Sequence, residues 1–178
     1  MMFASPAVAA KPTLPPDERP APRELRIPLG DETFDPSEAL NGATSSRELC
    51  GRVPDSAWVE LDSSGYCIRF YAHGLAASPN PEVLVYLPGD VMVRTKKGVR
   101  WIVAAYRRRS PSILSQEMEN WAEQAGRLAI YLARPGLYGS SGDHNKRRSL
   151  LEVRIVDSAL DEIKKRYKIR RFHLAGHS

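Results

Sequence analysis

Ile169-Arg170-Arg171-Phe172-His173-Leu174-Ala175-Gly176-His177-Ser178 reads as a β-rich run that breaks at a glycine and ends on a serine. Gly176-His177-Ser178 matches the first three residues of G-x-S-x-G, in which a sharp turn after a strand lifts a serine hydroxyl clear of the sheet. Ser178 is therefore a candidate nucleophile. Three residues carry little weight alone, so the segments upstream decide how they are read.

Working back, Arg147 to Tyr167 predicts a helix. Leu150, Val153, Val156, Leu160, Ile163 and Tyr167 fall on one face, and Asp161 with Lys165 and Glu162 with Arg166 form acid-first i,i+4 pairs on the other. Before it, Arg134-Pro135-Gly136-Leu137-Tyr138-Gly139-Ser140-Ser141-Gly142 is a glycine-rich loop that follows an apolar strand, Leu128 to Ala133. Ser110-Pro111 opens an earlier helix that Gly126 closes, with Ile113, Leu114, Met118 and Trp121 at helical spacing. Glu82 to Leu87 is a near-continuous apolar strand running into Pro88-Gly89-Asp90, as expected where both sheet faces are covered. Trp58 to Leu61 and Tyr66 to Tyr71, joined by Asp62-Ser63-Ser64-Gly65, predict a hairpin. Strands alternating with helices predict parallel crossover units.

In this order the segments resemble the N-terminal half of the α/β-hydrolase superfamily, over Trp58 to Ser178. The resemblance implies an α/β fold: a mostly parallel sheet with a leading antiparallel hairpin and crossover helices. It also implies a serine hydrolase, whether esterase, lipase or peptidase, acting on a small-molecule or peptide substrate through an acyl-enzyme. On it, Ser178 is the nucleophile and Asp90 gives its backbone N–H to the oxyanion. Proline at position 88 departs from the histidine common there, which leaves Val91 as the alternative donor. The family order of serine, acid, histidine puts the acid and the base after position 178, since His73, His144, His173 and His177 all precede the serine. The chain alone is then expected to be inactive, with the serine-bearing strand as an apolar sheet edge. Of the histidines, His144 is expected in a solvated loop and His177 beneath the serine. No organic cofactor or metal is implied.

Residues 1–36 hold eight of the 14 prolines and predict an extended arm, with Leu25 to Leu29 as a candidate short strand; residues 37–178 form the domain. Ala7-Val8-Ala9 resembles a signal-peptidase site without a full apolar region before it, which reads as the remnant of an export signal and a periplasmic or secreted location, otherwise a cytoplasmic one. In an oxidising compartment Cys50 and Cys67 can bridge; in a reducing one they are two buried thiols. Nothing approaches the apolar length of a membrane span.

Net charge is +5, and the dense exception to an otherwise even spread is Arg94, Lys96, Lys97, Arg100, Arg107, Arg108 and Arg109, interleaved with Trp101 and Tyr106. That pattern offers a competing class, a non-catalytic fragment or basic nucleic-acid or anion-binding protein. Nucleic acid is the weaker reading, because Ile102-Val103-Ala104-Ala105 within the run points to packing. In a hydrolase the segment is a cap-like insertion that attracts anionic substrates.

Overall fold

The structure, a computed structural model, describes residues 19–53, 55–75, 82–98 and 100–177. The leader read as an export-signal remnant lies outside them. From Arg19 onward the proline-rich segment rests on the domain. Arg23–Glu24 (β1) pairs in parallel with Ala43–Thr44 (β2), and Leu25 and Phe34 are buried. Pro36–Asn41 (α1) starts at Asp35, whose carboxylate accepts the Ser37 amide. Arg47–Gly51 (α2), capped by Ser46, carries Cys50 into a disulfide with Cys67. Closing that loop stabilises the fold by about 3 kcal/mol in the chain-entropy account.

Ser56–Leu61 (β3) and Ser64–Ala72 (β4) form the expected hairpin. Asp62 and Ser63 both take positive φ, the conformation that lets a two-residue turn follow the twist of its strands. Glu82–Leu87 (β5) precedes a short antiparallel pair, Met92–Arg94 (β6) with Arg100–Ile102 (β7). Pro111–Ala125 (α3) begins at its Ser110 cap and ends at left-handed Gly126, as the sequence predicts. Ala129–Leu132 (β8), Leu150–Arg166 (α4) and Arg171–Gly176 (β9) complete the chain.

The main sheet runs β3-β4-β8-β5-β9. This corrects the expected fold class, because the sheets are mixed and largely antiparallel rather than a mostly parallel α/β-hydrolase sheet with crossover helices. The cause is β4. Its nine residues, buried from Cys67 to Tyr71, are long enough to pair antiparallel with β3 along one side and with β8 through Phe70–Ala72 on the other. The basic insertion adds a further antiparallel pair in β6 and β7. Parallel pairing in the main sheet is confined to β8 with β5 and β5 with β9.

Both faces of this sheet are covered, which explains the unbroken apolar run of β8. Ala129 and Tyr131 join Tyr71, Leu114, Met118 and Phe34 on the α3 side, while Ile130 and Leu132 join Val83, Val85, Ile155, Ala159 and Ile163 on the α4 side. The buried stripe of α4 departs from the predicted one at its first turn. Leu150 and Val153 are 74% and 61% exposed, whereas Val156, Leu160, Ile163 and Tyr167 of that stripe do pack on the sheet, and Ile155 and Ala159 join them as buried residues. Ala159 has no side chain beyond Cβ and allows a close approach to β3, which a stripe of larger residues would prevent.

Candidate functional site

β5 and β9 run side by side in parallel to their last residues, Leu87 opposite Gly176, and the His177 amide donates to the Leu87 carbonyl at 3.3 Å. Beyond these ends the two chains nearly touch. A Cβ built on Gly89 would lie 2.8 Å from the His177 carbonyl oxygen and 3.1 Å from its Nδ1, so only glycine fits. Asp90 and Val91 follow at once. Among the described residues no acceptor takes either amide N–H, although the Val91 carbonyl accepts from Val103 at 2.9 Å.

The Asp90 side chain points into a cluster of arginines. Its Oδ1 accepts from Arg134 at 3.0 Å, and its Oδ2 accepts from Arg147 at 3.1 Å and Arg148 at 2.9 Å. Arg134 reaches on to Glu152 with two bonds, at 2.8 and 3.2 Å, in the forked geometry that suits a planar guanidinium. Burial works against a charged Asp90, but the Arg147 and Arg134 guanidiniums outweigh it and hold the carboxyl below its ordinary range. The carboxylate is thus fixed as an anion and the segment Pro88 to Val91 is pinned from below.

His144 is fully buried rather than solvated. Its Nε2 lies 3.7 Å from Asp90 Oδ1, too far for a hydrogen bond, and neither ring nitrogen has a partner among the described residues. Burial, with Arg134 nearby, pushes its pKa down to about 4, so the ring is neutral at physiological pH. The glycine-rich loop at the end of β8 is equally enclosed. Ser140 and Ser141 accept the Arg69 and Cys67 amides of β4 through their hydroxyls, and the Tyr71 hydroxyl donates to the Tyr138 carbonyl at 2.6 Å.

Of the three residues expected to form the site, Ser178 lies outside the described residues. Asp90 and Val91 follow Gly89, which packs against His177, the residue before Ser178. The supporting arginines were missed. Arg134, Arg147 and Arg148 lie 44 to 58 positions from Asp90 and on separate segments, so no spacing could have joined them. A cavity of about 340 Å³ opens elsewhere, lined in part by Pro22, Tyr66, Lys146, Arg147 and Leu151, and neither Gly89, Asp90, Val91 nor His177 borders it.

Set against known proteins, the chain matches no family model, no curated protein and no solved structure. With the mixed sheet, this overturns the resemblance to the α/β-hydrolase superfamily. The order of local motifs that carried it is not matched by similarity along the chain. Among the described residues no helix is long and apolar enough to cross a membrane.

Proposed function

We propose that the protein is a serine hydrolase that cleaves an ester or amide of a small-molecule or peptide substrate through an acyl-enzyme at Ser178. The observation that supports the reading is the packing of Gly89, the residue before the unengaged Asp90 and Val91 amides, on the carbonyl of the residue preceding the serine. As the Ser178 Oγ attacks a carbonyl, charge develops on the substrate oxygen. Backbone N–H groups already held in place stabilise that charge without reorganising, and losing one such donor costs about 10²–10³ in kcat. Asp90 would act through its amide, its carboxylate being committed to the arginines, and Val91 is the alternative donor.

The serine also requires an imidazole to take its proton and return it to the leaving group. His73 faces Glu119, His173 bonds to Glu82 near the start of β5, and His144 is buried beside Asp90. His177 is the serine's own neighbour in the chain. We assign none of these four as the base that Ser178 would need. The Cys50–Cys67 disulfide supports an oxidising compartment, periplasmic or secreted.

The test is covalent labelling of the full-length protein by a fluorophosphonate. The adduct should map to Ser178 by peptide mass, vanish in Ser178→Ala, and form about tenfold or more slowly in Gly89→Ala, where the new Cβ must push the two strand ends apart. A folded protein that labels elsewhere, or labels equally fast with Gly89→Ala, defeats the reading.

A further inference from the structure

The β6–β7 pair does not serve the proposed site directly, and its two faces differ sharply. Met92 and Ile102, opposite each other in register, are each 4% exposed and belong to the core beneath α3. The next register pair, Val93 and Trp101, points the other way and is 37% and 45% exposed. A tight turn closed by the Gly98 amide on the Thr95 carbonyl carries Lys96 and Lys97 at its tip, both exposed. Ala104 and Ala105, also exposed, follow in the chain, and exposed Arg107 and Arg108 lie on the 3-10 turn Tyr106–Arg108.

The charge here is one-sided. No aspartate or glutamate occurs between Asp90 and Glu117. Arg94, Lys96, Lys97, Arg107 and Arg108 form no ion pair among the described residues, whereas Arg109 is neutralised by Glu117. An aromatic and an aliphatic side chain opposed across a ladder, with unpaired cations around them, need a partner that is apolar beneath and anionic at its surface. A nucleic acid meets the second requirement but not the first, because a base stacks on one flat ring and leaves Val93 against water. A lipid interface meets both. Tryptophan sits at headgroup depth with its ring half-immersed, and lysines and arginines beside it are drawn to anionic headgroups.

We infer that the Val93–Trp101 face of the β6–β7 hairpin, with Lys96 and Lys97 at its tip, docks the protein reversibly on anionic phospholipid membranes. This is surface attachment, independent of whether Ser178 is a nucleophile. It would bring the segment that starts at Asp90 within reach of the membrane plane, since β6 begins only two residues later.

The test is flotation of the 178-residue chain with vesicles of roughly one-third phosphatidylglycerol in phosphatidylcholine, against phosphatidylcholine alone. Flotation separates bound protein, which rises, from any self-aggregate, which does not. The chain should float with the anionic vesicles only. K96E/K97E should lower binding about tenfold or more, and Trp101→Ser several-fold, including at salt concentrations that screen the lysines. K164E/K165E, the same charge change on the exposed last turn of α4, should leave binding within about twofold, which makes the effect one of place and not of net charge. Equal loss in K164E/K165E, no loss in Trp101→Ser, or release of the chain by single-stranded RNA at matched phosphate each overturns the inference. Unchanged far-UV circular dichroism in the three variants excludes misfolding as the cause.

Discussion

Glu38 and His144 are buried titratable side chains that pull stability in opposite directions as pH changes. Glu38 is 7% exposed and accepts the Arg26 amide at 2.7 Å, yet burial outweighs that bond and, with Asp35 adding to it, lifts its pKa from 4.5 to about 7. The folded state therefore holds this proton more tightly than the unfolded chain. Its contribution is complete below pH 4.5 and is lost as pH rises through 7. His144, lowered from 6.5 to about 4, behaves in the reverse sense: its contribution is complete above pH 6.5 and is lost as pH falls through 4. Between pH 4.5 and 6.5 the two oppose each other and stability should change little. Glu38→Gln keeps an acceptor for Arg26 and removes one of the pair. Its melting temperature should exceed the wild type's at pH 8 and fall steadily from pH 6.5 to 4.5, which a pH series of thermal melts would read. Parallel profiles for the two proteins would show that Glu38 is not held as the neutral acid. Neither shift was legible in the sequence, because each environment is assembled from distant segments, with Asp90, Arg134 and Arg147 around His144.

Helix α4 shows how far periodicity alone can be trusted for an element. The extent of the helix was nearly readable, with Arg147 to Tyr167 expected and Leu150–Arg166 found, whereas its Ser149 cap, whose hydroxyl accepts the Glu152 amide, was not singled out. The buried face was readable from Val156 onward and not before it, because Leu150 and Val153 lie at the end of the helix that the sheet does not cover, while Ile155 and Ala159 are buried off the predicted stripe. Ile155→Ala is expected to cost about 2–4 kcal/mol in denaturant unfolding, and Val153→Glu to stay within about 0.5 kcal/mol. Similar losses at both positions would mean that α4 is rotated from the orientation described. The glycine-rich loop teaches a related lesson. Its tight turning was plain from composition, and Gly136 bears it out with φ of +75° and a backbone nitrogen, that of His144, 2.6 Å from where a Cβ would stand. That its serines would take over amides of β4 depended on a strand more than 60 residues earlier arriving alongside.

At the scale of the molecule, local elements were largely legible and the sense of the sheet was not. Apolar runs at Glu82 to Leu87 and Leu128 to Ala133 announced strands covered on both sides, but nothing in them fixes the direction of a neighbour. That was set by β4, whose length lets it pair twice and turns the leading half of the sheet antiparallel. The other end of the sheet has a consequence of its own. β9 is the last strand in the order, paired only with β5 among the described residues, so one side of its backbone offers unpaired N–H and C=O groups. Leu174 stands on it 61% exposed, with Phe172 two residues away only partly covered. An apolar edge of this kind templates pairing with another chain. Self-association of this chain should therefore rise with concentration in sedimentation velocity, with poor solubility and a broad thermal transition. Leu174→Lys places a charge on that edge, where burial in a strand-to-strand contact would strip its hydration, and should shift the distribution toward monomer without loss of helix signal. A wild-type chain that stays monomeric at high concentration and unfolds sharply would mean that the β9 edge is already protected.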